Sequence, residues 1–385
     1  MGTAKNLSLN DVKDIMDGKT DPNKQDTKDT SSMSDFTLDD ILSTLNLGSI
    51  ERASSNNLYG INHRAIPGLI PSNKDSYGLV FFTRPQLNMQ DVNIRNVRRF
   101  YPLLSDLPSS IQRYVRAMLD PRLALGVNFG DTGYPAMAST LVDPKQAFIP
   151  LLTNNIVRMS GWPDIVAPTY TSQAGHYNES YSQVDGTTEM YETFDMDATF
   201  RNVKGDPALL LFYVWTHYSS HVFSGELVPY WDFITENEID YNTRIYRLVL
   251  DSTRRFVTKI SATGASYPYT ANINRFFDFD SEKPLSEETK ELPIRFRCMG
   301  ADYLDDVLVY EYNETVGIFN PEMRNHLREK AMVRIPNEYL NLFNHRGYPR
   351  IDPNTRELQW WIDKGTYNAY GKKFFKYVQD ARVDK

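Results

Sequence analysis

The amino-acid sequence predicts an α+β fold, mainly β, in which alternating strands accompany one apolar helix. Three stretches carry that prediction. In TRIYRLVLDSTRRFVTKISA, residues 243–262, two alternating arms, Thr243–Leu250 and Arg255–Ala262, enclose the turn Asp251–Arg254. In LPIRFRCM, Leu292, Ile294, Phe296 and Cys298 fall on one side, the period-2 pattern of a half-buried strand. In GDPALLLFYVWTHYSSHVFSG, residues 205–225, the apolar run from Ala208 to Trp215 follows Asp206 as a helix cap and Pro207 at the first helical position. Gly225 stands just past its end, where a helix stops.

The remaining elements follow in order. Residues 1–35 are Asp, Lys, Ser, Thr and Asn with few large apolar groups. Such a segment buries too little surface to offset its ordering entropy, so it reads as a disordered arm. Residues 36–60 read as a short amphipathic helix and a linker. Thr37 and Asp40 have capping-box spacing, Leu38, Ile41, Leu42 and Leu45 share a face, and Gly48 is a stop. That helix either packs on its own domain or docks on a partner. Residues 61–188 read as an N-terminal elaboration or inserted region. It holds a buried strand in YGLVFFTRP (77–85), a helix in SSIQRYVRAML (109–119), and loops with short strands over 125–185.

Residues 189–319 read as the main β domain. A strand in EMYETFDMDATFRN precedes the apolar helix and the hairpin. Then come a corner in TGASYPYT, a strand in INRFFDF (273–279), an acidic loop (281–291), the strand from Leu292, and a further strand in DVLVYEY (306–312). Residues 320–385 read as a helical, aromatic extension. Its helix starts at Asn320 with Pro321 in the first turn, and LQWWIDKGTYNAYGKKFFKYV is partly helical.

Composition narrows the function classes. The chain has 385 residues and a net charge of −7. That balance argues against a general nucleic-acid binder, which needs a basic face to neutralise phosphates. The single Cys298 excludes a disulfide framework and a Cys-rich zinc site. A membrane-spanning helix needs about 20 apolar residues, far more than Ala208–Trp215 supplies. The 24 Tyr and 20 Phe suit protein interfaces.

Two motifs look chemical and are better explained otherwise. His217 and His221 have the i, i+4 spacing of a zinc-binding helix, but Tyr218 stands where a metalloprotease carries Glu, and no third ligand appears at motif spacing. They read as the polar end of a buried helix. Asp131-Thr132-Gly133 matches the triplet of an aspartic protease, but no second Asp-Thr-Gly or Asp-Ser-Gly supplies the partner carboxylate, so it reads as a turn. No phosphate loop, dinucleotide fingerprint or nucleophile elbow is present. The expectation is a protein without catalytic residues, metal or cofactor.

Over about 190–305 the order of elements resembles the tail-tube proteins of contractile-tailed bacteriophages. The strand YETFDMDATFR, the helix, the hairpin, the corner SYPYT, INRFFDF and LPIRFRCMGADY follow in that family's sequence. Thr263, Gly264, Ala265, Pro268 and Tyr303 match its threonine-glycine-alanine corner, nearby proline and final aromatic. The resemblance implies a tail-tube-like β-barrel or sandwich and a virion structural role. Copies would form hexameric rings, stacked into a hollow tube that conducts DNA without sequence specificity. Sheath, baseplate or neck proteins would be partners. The location implied is the virion tail, assembled in the host cytoplasm.

In such a ring Leu211, Trp215, Tyr218 and Val222, one stripe of the helix, are subunit-interface candidates. So are Ile245, Arg247, Val249, Val257 and Lys259 of the hairpin, the expected place for strands of neighbouring subunits to pair and remove free edges. Arg247 and Lys259 would face lumen or solvent. Main tube subunits are usually much shorter than this chain. A tube-like baseplate or neck adaptor is therefore the alternative, and a wall-degrading or glycan-binding tail enzyme the more distant one.

Overall fold

The computed structural model describes residues 77–107, 109–124, 139, 141–186, 192–278, 281–282, 290–343 and 346–371. The elements are β1 (Tyr77–Phe82), α1 (Asp91–Ile94), α2 (Ile111–Leu119), α3 (Pro121–Ala124), α4 (Pro150–Asn155), β2 (Ile156–Ser160), β3 (Thr169–Thr171), β4 (Ser182–Val184) and β5 (Thr193–Arg201). They continue with α5 (Pro207–Phe223), α6 (Trp231–Glu236), β6 (Ile245–Leu250), β7 (Val257–Ala271), β8 (Glu291–Tyr303) and α7 (Val307–Phe319). The last are α8 (Asn325–Ala331), β9 (Met332–Ile335), β10 (Tyr348–Ile351) and β11 (Leu358–Asp363). Among the described residues no helix is long and apolar enough to cross a membrane. The expected N-terminal arm and helix and the Asp131-Thr132-Gly133 triplet lie outside the described residues.

Six strands form one antiparallel sheet in the order β1-β6-β7-β8-β5-β2. β1 and β2 come from the expected elaboration 61–188, yet they sit in the same sheet as the strands of 189–319. Strand alternation splits the core in two. On β1, Val80 and Phe82 join one hydrophobic cluster, whereas Phe81 joins the other and Leu79 packs against it. The first cluster includes α5, α2 and the inward residues of β5 and β8, such as Met196, Phe200, Ile294 and Phe296. The second joins Tyr246, Leu248 and Leu250 of β6 to α7 and to a smaller sheet, β10-β11-β9. Its centre is aromatic: Tyr312 stacks on Phe148 at 5.1 Å and meets Phe81 and Tyr246 edge-on.

Several local expectations change. DVLVYEY is helical, inside α7, because the apolar pattern continues beyond it: Leu308, Val309, Tyr312 and Val316 are the buried face of a 3.6-residue period. A short apolar run alone does not separate strand from helix. The described part of INRFFDF, residues 273–278, forms a 3-10 turn, Asn274–Phe276, rather than a strand, and Phe277 beside it is exposed. The corner TGASYPYT is instead continuous strand within β7, which runs 15 residues. Gly264 lets β8 approach there, since a Cβ would fall 2.6 Å from the Met299 carbonyl oxygen. Pro268 is tolerated at a register shift between Pro268 and Thr270.

Asp206 does not cap α5. Its carboxylate accepts from Asn202 Nδ2 at 2.6 Å, while Pro207 does start the helix and Gly225 follows it at φ +77. Asn320 caps a 3-10 turn, Pro321–Met323, before α8 begins at Asn325. LQWWID is strand β11 rather than helix, and the helical part of that stretch is 364–371.

Candidate assembly surface

The hairpin turn forms where it was expected. Asp251 Oδ1 accepts from the backbone amides of Arg255 and Phe256, at 3.0 and 3.2 Å, which closes the loop. The hairpin is central, however. β6 lies between β1 and β7, and β7 between β6 and β8, so its backbone edges are already paired within the subunit. Among the described residues the outer strands of the sheet are β1 and β2 instead. β2 is mostly exposed, including Val157 and Arg158.

Of the expected interface residues, Leu211, Trp215, Tyr218, Ile245 and Val257 are buried in the chain's own core. Trp215 stacks parallel to Phe212, and its indole N–H donates to the Tyr241 carbonyl at 2.9 Å. Tyr218 donates to Asp240 Oδ2 at 2.5 Å and accepts from the Asn88 amide. Burial pushes the Asp240 carboxyl up to about 6, a rise the Tyr218 bond only partly offsets. Nearby, Asp120 is fully enclosed and accepts from Tyr230 Oη, the Met89 amide and the Arg122 amide. A side chain enclosed by its own subunit influences assembly through the fold, not by touching a neighbour.

Val222, Arg247, Val249 and Lys259 keep surface available. Val222 sits apart, at the end of α5. The other three meet: Val249 pairs with Lys259 across the hairpin, and both line an open groove of about 380 Å³ with Arg247, Pro163, Tyr303 and Leu304. Gly78 makes room for Arg247, since a Cβ there would fall 1.5 Å from its Nη1. Tyr303 donates to the Pro163 carbonyl at 2.6 Å and closes one wall.

The helix histidines contact protein groups. His221 Nδ1 lies 2.5 Å from Glu226 Oε2, and His217 Nδ1 lies 3.4 Å from Arg99 Nη1. Burial, together with Arg99 and His221, lowers the His217 pKa. Cys298 is buried on β8, and burial pushes its thiol up to about 11, away from nucleophilic chemistry.

Two surfaces escaped the sequence reading. The first is the outer face of β5 and β8. While Met196, Ala198, Phe296 and Cys298 point into the core, the alternate residues Asp195, Asp197, Arg295 and Arg297 are exposed. Asp195 pairs with Arg297 at 2.7 Å and Asp197 with Arg295 at 3.0 Å, each directly across the two strands. The face is densely charged yet locally neutral. The second is an arm, residues 161–186, that carries the β3-β4 ribbon. Almost every residue in it is exposed, including Ile165, Val166, Tyr170, Tyr177, Tyr181 and Val184. A signal for it was available: no Lys or Arg occurs from Met159 to Phe200, an acidic stretch with clustered tyrosines.

A family model described as "Putative phage tail tube protein" matches residues 14–377. No curated protein sequence matches. Among solved structures, the tube-terminating cap of the anti-feeding prophage aligns at 12% identity and a TM-score of 0.25, covering 47% of this chain and 97% of that one. A sheath-tube complex of the extracellular contractile injection system PVC aligns at 12% identity and a TM-score of 0.23, covering 41% of this chain and 82% of that one. The family match takes in the main sheet, the exposed arm and the C-terminal module alike, and the chain belongs to the phage tail tube protein family.

Proposed function

We propose that copies of this chain associate side by side into hexameric rings, and that the rings stack into the DNA-conducting tube of a phage tail. The observation that supports this reading most is that the antiparallel sheet ends in two outer strands, β1 and β2. The outer side of β1 is bridged at its end, where Thr83 meets Phe148 and the Ile149 amide donates to the Phe82 carbonyl, while Tyr77–Phe81 pair with no strand on that side among the described residues. Unpaired strand edges recruit other strands, and a head-to-tail contact that repeats by rotation closes a ring. β1 of one subunit against β2 of the next would do both. The roles expected for the β6-β7 hairpin edges pass to these outer strands, while Val222, Arg247, Val249 and Lys259 supply side-chain contacts.

The lumen is assigned to the outer face of β5 and β8, because helices α5 and α2 pack on the inner one. Its paired charges present no net positive field to phosphates, so DNA passes without the counterion release that drives binding. The role is structural, with no catalytic residue, metal or cofactor invoked. The C-terminal module β9–β11 favours one second reading, a tube-like baseplate or neck ring, since it adds partner surface beyond the main sheet.

Electron microscopy of the purified full chain over a concentration series tests the proposal. Rings with six-fold symmetry or hollow tubes are expected. Folded monomers at every concentration would refute self-assembly. Rings that never stack would favour the baseplate or neck reading.

A further inference from the structure

A cleft of about 480 Å³ lies between α7, the start of α8 and β10. Arg324, Asn325, His326 and Arg350 line it, together with Glu314. The carboxylates near it are already engaged. Glu314 takes Arg324 at 3.2 Å, and Glu311 takes Arg244 at 2.8 Å. Asp352 accepts from the Asn354 amide and from Gln359. Arg350 is left with one neutral acceptor, Asn325 Oδ1 at 3.5 Å. The same oxygen accepts from Arg328 Nη1 at 3.0 Å. Arg328 is only 8% exposed, stacks over Trp361, and its buried Nε has no hydrogen-bond partner. Two guanidiniums thus converge on one amide oxygen, with no carboxylate in ion-pair contact among the described residues. Burial and the neighbouring Arg328 lower the Arg350 pKa, and Asp352, which makes no direct ion pair with it, only partly offsets them.

The counter-charge exists elsewhere in the chain. The segment from Met159 to Phe200 carries seven Asp and Glu and no Lys or Arg, whereas residues 320–385 carry 13 Lys and Arg against eight Asp and Glu. The exposed arm 161–186 belongs to the acidic segment. At its tip Tyr177 is 86% exposed, and Glu179 is held by its Oε2 accepting the Tyr177 amide at 2.7 Å. The tip is exposed in its own subunit, so it does not occupy that subunit's cleft.

We propose that the arm tip of one copy, led by Tyr177 and Glu179, docks in the Arg350 cleft of a second copy. The Glu179 carboxylate meets the Arg350 guanidinium, the strong charge-assisted pairing that arginine favours. Tyr177 buries its ring against the cleft wall at Pro349. The proposal rests on the self-assembly proposed above.

The test places a photo-crosslinking benzoylphenylalanine at position 177 of the full chain, in an equal mixture of ¹⁴N and ¹⁵N copies. Mixed-isotope crosslinks to residues 310–326 or 349–353 are the expected result. Arg350→Glu should lower their yield at least ten-fold, and adding Glu179→Lys to the same chain should restore it. Arg350→Gln, with the same readout, serves if Arg350→Glu does not fold. Inter-copy crosslinks that land elsewhere, or that are unmoved by the Arg350 substitution, overturn this docking and leave ring assembly standing. Monomers without any inter-copy crosslink overturn both.

Discussion

Helix α5 and the arm 161–186 are both rich in aromatic residues, and they meet opposite fates. In α5, Leu211, Phe212, Trp215 and Tyr218 are enclosed by α2, β5 and β8 of the same chain. In the arm, Tyr170, Tyr177 and Tyr181 face solvent, and among the described residues the two strands β3 and β4 pair only with each other. An isolated two-stranded ribbon has little stability of its own. The comparison separates residues that make the subunit's core from residues that the subunit leaves exposed. Aromatic content alone does not distinguish them. The difference lies in what the rest of the chain brings to each.

The largest expected effect tests the helix side. Trp215→Ala should cost about 3–5 kcal/mol of folding stability, since it empties a fully enclosed site and frees the Tyr241 carbonyl. Urea unfolding of the subunit measures it. A loss below about 1 kcal/mol would mean that Trp215 is not a core residue, and would reopen an interface role for it.

Next in size is a pH effect at the foot of the same helix. Asp240 has a folded pKa of about 6, above its ordinary value of 3.8, chiefly through burial. The folded state therefore binds a proton that the unfolded state has already lost between those values. Its contribution to stability is present below about pH 4 and disappears as pH rises through about 6. Asp240→Asn keeps an acceptor for Tyr218 and removes the titration. Relative to the wild type, the variant should gain about 2 kcal/mol between pH 4 and pH 7. Urea midpoints at the two pH values report it, and a pH-independent difference would contradict the burial of Asp240.

The arm side predicts small effects on the subunit and large ones on assembly. Replacing residues 165–184 with a short glycine-serine link should leave subunit stability within about 1 kcal/mol. The same change should raise the concentration needed for assembly at least ten-fold. Sedimentation velocity alongside urea unfolding separates the two, and loss of folded subunit would show that the arm is part of the core. Smallest of all is Asp195→Asn on the outer face of β5 and β8. It breaks an exposed cross-strand pair with Arg297 and should cost about 0.2–1 kcal/mol at most. A high-salt melt that erases the difference would agree.

What was legible in the sequence was local and periodic. The hairpin turn at Asp251–Arg254, the alternation of Leu292 to Cys298, and Pro207 with Gly225 around α5 all report themselves within a few residues. What was not legible was long-range. β1 pairs with β6 across about 170 residues, so nothing near Tyr77 announces that it borders the hairpin and denies it a free edge. Burial of Trp215 by its own subunit or by a neighbour gives the same apolar pattern, and only the packed fold separates them. The Arg350 cleft combines Arg324 with a strand 26 residues further on, joined only when β10 packs against α7. The run without Lys or Arg that marks the arm was in plain view, but charge absence signals a partner only once the segment is seen to be exposed.

The most direct test of the central claim is a cryo-electron microscopy reconstruction of the assembled chain. The account predicts six-fold rings in which β1 of each subunit pairs with β2 of the next, and in which Asp195, Asp197, Arg295 and Arg297 line the channel. An assembly that leaves the β1 and β2 edges unpaired, or that turns the β5-β8 face away from the channel, would contradict it.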